Sequence, residues 1–313
     1  MDPLNDRFTM GIAKRVILFL LLNFLVIFMI SIVINLLGLK PYLNAYGLDY
    51  QSLLIFCLIW GIGGAFISLS LSRVMAKWMM GVKIIDPNSR SPEEARLVET
   101  VHSLCRNAGL THMPQVGIFR SPEPNAFATG PTQSRSLVAV STALLDRMSE
   151  EEVNGVLGHE VTHIVNGDMV TMTLLQGVVN AFVMFLARAL AYILSGLGRS
   201  RDNNSSGGSY GAFIAFTWVF EIIFMILGSL LICAYSRYRE FHADAGGARL
   251  AGRENMIGAL RALQRFQQIK DPKADNPAIA AFKISHPDGK KGFLRFFMTH
   301  PPLEERIERL EAK

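Results

Sequence analysis

The chain has 313 residues, half of them apolar and 18% charged, with a net charge of +5 and a mean hydropathy of +0.29. That composition excludes a disordered or collagen-like chain and is too apolar for an average soluble enzyme. Without a Lys/Arg block the small basic excess gives no clustered phosphate-binding face, so nucleic acid is not an expected partner. The three cysteines, Cys57, Cys105 and Cys233, are widely spaced and odd in number, so neither a disulfide framework nor a cysteine zinc site follows.

In chain order, the uncharged run 16–39 is long enough to cross a hydrocarbon core of about 30 Å. It exceeds a signal-peptide h-region and no small-x-small cleavage site follows it, so it reads as an uncleaved anchor. The run 53–71 is a second span, and its Gly61, Gly64 and Ala65 would let a neighbouring helix approach closely. Arg7, Lys14 and Arg15 precede the first run, Lys40 lies between the two, and Arg73, Lys77, Lys83 and Arg90 follow the second. By the positive-inside rule, the N-terminus and the segment after the second span are cytoplasmic.

Next, QVGIFRSPEPNAFATG and SLVAVST read as two or three short strands. An edge strand formed by Asn125, Ala126, Phe127, Ala128 and Thr129 could bind an extended peptide by strand addition, although ordinary structural strands suit the pattern equally well. Ser149 and Glu152 then form a capping box opening a helix through VNGVLGHEVTHIV. His159 and His163, at i and i+4, share one face of it and can bind one zinc ion, with Glu160 beside them. This is the HExxH pattern of zinc peptidases. Zinc lowers the pKa of a bound water and polarises a carbonyl, and Glu160 would act as general base, so peptide hydrolysis is the expected reaction. The alternative, two surface histidines on an amphipathic helix, loses weight because the helix start is capped and a third ligand is available.

The runs 170–197 and 212–235 flank a polar, glycine-rich turn and read as a helical hairpin. Each carries one charge, Arg188 and Glu221, at similar distance from the turn, which suggests an intramembrane ion pair. Arg199 and Arg201 in the turn oppose the charge trend of the first two spans. Asn166 and Met169 stand where a metzincin needs its glycine and third histidine, which excludes that subclass. A gluzincin takes a glutamate from a later helix instead, and SRYREFHADAGGARLAG supplies Glu240, with Asp244 one turn on to orient a liganding histidine. An exposed Glu240–Arg237 pair is the plainer alternative. Two spans between the histidines and Glu240 keep all three on one side of the membrane. At the C-terminus, THPPLEERIERL offers His300 and Arg306 for transition-state stabilisation; His300 could equally be an ordinary residue at a helix entry.

NAFATG, the SLVAVST–HExxH stretch, SRYREFHADAGGA and THPPLEERI together resemble the HtpX family of bacterial membrane zinc metalloproteases, gluzincins related to the CAAX prenyl proteases. The resemblance implies an endopeptidase of the bacterial inner (plasma) membrane, multi-pass, with its active site facing the cytoplasm. Such enzymes degrade misfolded or damaged membrane proteins under stress. It implies His159, His163 and Glu240 as ligands of one Zn²⁺ per chain, Glu160 as base and Asp244 behind a ligand. His300 and Arg306 would stabilise the transition state, and residues 125–129 would line the substrate cleft. The stretch 270–292 is a candidate self-cleavage site.

The expected fold class is therefore an α-helical integral membrane protein with four transmembrane helices and a cytoplasmic zincin α+β catalytic domain. The membrane anchor is expected at 1–75, the first catalytic part at 76–168, the hairpin at 169–235 and the second catalytic part at 236–313. Two rivals come from other classes. A zinc-stabilised membrane scaffold or receptor would need a fourth protein ligand near the motif. A transporter built around Arg188 and Glu221 leaves HExxH unexplained. Prenyl-peptide cleavage is a narrower rival, but that relative has more spans than four runs provide.

Overall fold

The computed structural model describes residues 43–44, 47–197, 206–268 and 293–312. The first apolar run, 16–39, the tip of the hairpin and the whole 270–292 stretch lie outside the described residues. The molecule divides into two compact units, one drawn from Met1–Ser68 and Thr173–Gly228, the other from Leu69–Met172 and Ser229–Lys313.

In the first unit, strands β1 (Leu43–Asn44) and β2 (Gly47–Leu48) form a two-stranded antiparallel pair. Asp49 caps the start of helix α1 (Tyr50–Met79) by accepting from the Gln51 and Ser52 amides. Within α1, Ile59–Gly63 is a π-helical turn. A Cβ on Gly61 would lie 2.6 Å from the Gly177 carbonyl oxygen on α5 (Asp168–Leu197), so glycine is what lets these two backbones meet. At Gly64, nothing among the described residues lies within 4 Å of a Cβ placed there.

Among the described residues three helices, Tyr50–Met79, Asp168–Gly196 and Tyr210–Ala251, are long and apolar enough to cross a membrane. The last belongs to helix α6 (Ser206–Ala251). A Cβ on Gly228 would meet Val179, and Arg188 Nη1 lies 2.5 Å from Glu221 Oε1, so contacts between α5 and α6 run in opposite directions along the chain. The two helices are antiparallel, as a hairpin requires. Arg188 and Glu221 do pair, and the guanidinium also stands over the Phe56 ring.

The second unit is built on a four-stranded sheet of order β3-β4-β6-β5. Its strands are β3 (Lys83–Ile84), β4 (Gln115–Phe119), β5 (Ala126–Thr129) and β6 (Leu137–Ser141). β4 and β6 are parallel, and the outer pairings are antiparallel. All of β6 is buried. Alternation sends Val138 and Val140 into one apolar cluster and Leu137 and Ala139 into another, so apolar packing covers both faces of the sheet. The larger cluster joins α2 (Pro92–Asn107), α4 (Glu150–Asn166), α7 (Arg253–Gln268) and α8 (Leu303–Glu311). A short helix, α3 (Thr142–Arg147), leads from β6 toward α4.

Candidate active site

The site begins with how α4 is started and stopped. The capping box forms as expected: Ser149 Oγ accepts from the Glu152 amide, and the Glu152 carboxylate accepts from the Ser149 amide. Gly167 ends the helix in the left-handed region, with φ +67°, a conformation glycine adopts without steric cost. Between these ends every residue from Gly155 to Ile164 is buried, including His159, Glu160 and His163.

α6 approaches α4 closely because both helices carry glycine at the contact. A Cβ on Gly247 would stand 2.9 Å from the His159 backbone nitrogen, and one on Gly158 would stand 2.9 Å from Ala251 Cβ. This approach brings Glu240 and Asp244, both buried, up to the two histidines. His159 Nε2 lies 3.2 Å from His163 Nε2 and 3.3 Å from Glu240 Oε2, and His163 Nε2 lies 3.4 Å from Glu240 Oε1. A tetrahedral donor set with bonds of about 2.0–2.1 Å has edges of about 3.3–3.4 Å, so these separations suit a zinc-sized ion. Among the described residues the group closes at three donors, His159, His163 and Glu240. No fourth protein donor joins it there, which suits a catalytic site and not a closed structural one.

The surroundings are charged and largely buried. Arg306 grips Asp244 bidentately, Nε to Oδ2 at 2.8 Å and Nη2 to Oδ1 at 2.6 Å, while Asp244 Oδ1 also faces His159 Nδ1 at 3.0 Å. His163 Nδ1 faces Asp168 Oδ2 at 2.5 Å. Glu240 Oε2 accepts from His300 Nδ1 at 2.8 Å, and Oε1 accepts from Arg239 at 3.1 Å. Burial favours the neutral form of His159, but the hydrogen bonds and charges of Asp244 and Glu240 outweigh it and hold its pKa up at about 9. His163 is raised likewise, by Asp168 and Glu240 against burial. Burial also opposes the charge on Arg306, yet Asp244, Glu240 and Glu160 keep that guanidinium firmly protonated.

The sequence-derived candidates therefore fall into two groups. His159, Glu160, His163, Glu240, Asp244 and Arg306 share one buried locus, with the half-buried His300 at its edge. Arg306 holds Asp244, and its buried Nη1 has no hydrogen-bond partner among the described residues. Glu240 does not pair with Arg237, whose Nη1 donates to the Phe296 and Met298 carbonyls. Ala126, Phe127, Ala128 and Thr129 form β5, which pairs with β6 alone among the described residues and packs against α4. Asn125 sits just ahead of it, buried, its amide donating to Ser141 Oγ. Two contacts were not anticipated. Asp168 follows the second histidine by five residues across Gly167, and an acid just beyond a helix-ending glycine was the signal available. Arg239 gave none, since its role depends on the fold of α6.

Peptidase family M48 matches residues 91–313. The chain belongs to peptidase family M48. A "Protease HtpX homolog" of Bacillus subtilis is 53% identical over 310 residues, covering 96% of this chain and all of that protein. "Protease HtpX" of Thioalkalivibrio sulfidiphilus is 49% identical over 301 residues, covering 96% of this chain and 99% of its own length. Among solved structures, the crystal structure of S. mikatae Ste24p shares the fold, with a TM-score of 0.60 at 16% identity over 96% of this chain and 67% of that one. With its apolar helices, this M48 chain is a membrane-bound metalloprotease of the HtpX type. The family works with a metal, and the His159–His163–Glu240 group is where one could be held.

Proposed function

We propose that the chain is a zinc endopeptidase that hydrolyses misfolded or damaged membrane proteins in quality control and the stress response. The observation that carries this reading is the donor triangle of His159, His163 and Glu240, whose edges suit one Zn²⁺ per chain. A zinc ion held there would lower the pKa of a water and polarise the scissile carbonyl. Glu160, buried one residue from His159, is the proposed general base: it takes a proton from the attacking water and returns it to the leaving amine as the C–N bond breaks. Asp244 keeps His159 oriented. Arg306 holds Asp244 and, with an Nη1 that has no partner among the described residues, has a donor to offer the developing oxyanion; His300, beside Glu240, is proposed to assist it. Among the described residues β5 is an edge strand of its sheet, which supports docking of an extended substrate strand along Asn125 to Thr129.

The proposed setting is the bacterial inner membrane, with four spans and the active site toward the cytoplasm. Support comes from the three long apolar helices, the uncharged 16–39 run and the basic residues after the second run. The proposed division remains an anchor at 1–75, catalytic parts at 76–168 and 236–313, and a hairpin at 169–235. The test is digestion of an unfolded membrane protein by detergent-purified enzyme stripped of metal and then resupplied with zinc. Cleavage should vanish on stripping and return with zinc. Cleavage that persists in fully stripped protein would overturn the reading.

A further inference from the structure

We infer that Asp168 is a positioning residue for the metal site, fixing the ring orientation and tautomer of His163. The inference rests on the metal-site reading above.

Each histidine of the donor triangle has an aspartate on its far nitrogen. His159 Nδ1 faces Asp244 Oδ1 at 3.0 Å, and His163 Nδ1 faces Asp168 Oδ2 at 2.5 Å. A carboxylate accepting from Nδ1–H leaves the lone pair on Nε2. Both Nε2 atoms indeed point at Glu240 and at one another. Asp168 and His163 are both buried, so this contact is shielded from water.

Local backbone geometry explains how the residue reaches its target. The left-handed Gly167 stops α4, its amide bonding back to the His163 and Ile164 carbonyls, and Asp168 then opens α5. The turn at Gly167 sets the first residue of α5 beside His163 in the last turn of α4. An acid at a helix start also suits the helix dipole. That role alone gives no reason to bury the carboxylate against an imidazole.

The experiment uses the full chain in detergent. Zinc affinity is measured by chelator competition for wild type, Asp168→Ala, Asp168→Asn and His163→Ala, and Co²⁺ absorption spectra are recorded for each. Asp168→Ala should weaken zinc binding by about 10–100-fold and shift the cobalt bands. Asp168→Asn keeps an oxygen acceptor for Nδ1–H and should recover most of the affinity. An Asp168→Ala affinity within twofold of wild type, beside a strong loss in His163→Ala, would overturn the inference alone. Unchanged affinity in His163→Ala would overturn the metal-site reading and this inference with it.

Discussion

Replacing Arg306 with methionine tests how the site is held together. The substitution keeps much of the side-chain volume but removes both hydrogen bonds to Asp244, at 2.8 and 2.6 Å, inside a pair that is 1–2% exposed. Removing one member of a buried pair costs about 3–5 kcal/mol, because the other charge stays buried. His159 Nδ1 remains 3.0 Å from Asp244, which places the expected cost at the lower end, about 3 kcal/mol. For domains of about 150–250 residues that corresponds to a fall in Tm of about 6–12 °C. The assay is thermal unfolding of metal-stripped protein, so that metal loss does not contribute. Adding Asp244→Asn to Arg306→Met should cost less than the sum of the single changes, since the stranded charge is then gone. A Tm within 2 °C of wild type, or strict additivity, would refute this account of the pair.

Other outcomes follow from particular contacts. A Cβ on Gly155 would lie 2.3 Å from the Asn255 carbonyl oxygen, so Gly155→Ala must push α4 and α7 apart and should cost about 1–3 kcal/mol in denaturant unfolding. Wild-type stability there would contradict the packing. Glu221→Gln or Arg188→Gln alone should lower thermal stability in bilayers, while the swap Arg188→Glu with Glu221→Arg should restore most of it. Failure of the swap would mean that the two charges act separately. The Cys105 thiol is buried and pushed up to about 12, so at pH 8 it is almost wholly un-ionised. A thiol reagent should label it only after denaturation, and rapid labelling of the native chain would contradict its burial.

What the sequence revealed and what it hid divide by range. The capping box, the HExxH face and the apolar runs are local patterns, legible because one helix carries each. Glu240 and Asp244 were legible because gluzincin chemistry demands a later acid and their spacing sets them one turn apart. The partner of Arg306 was not: the bond to Asp244 spans 62 residues and depends on how α8 packs, which no local period encodes. The Asp168 contact spans five residues yet hinges on the φ of Gly167, a turn geometry outside helical periodicity. β3, with two residues, is too short to show alternation. Gly64 stands in the same run as Gly61, but its direction on α1 differs, and among the described residues no atom lies within 4 Å of a Cβ placed there.

The most direct test of the central claim is the cleavage rate of Glu160→Gln protein verified to hold zinc. The account predicts one zinc per chain, as in wild type, with hydrolysis of an unfolded membrane protein lowered by about 10²–10⁴-fold. A zinc-loaded Glu160→Gln chain that cleaves at the wild-type rate would contradict it.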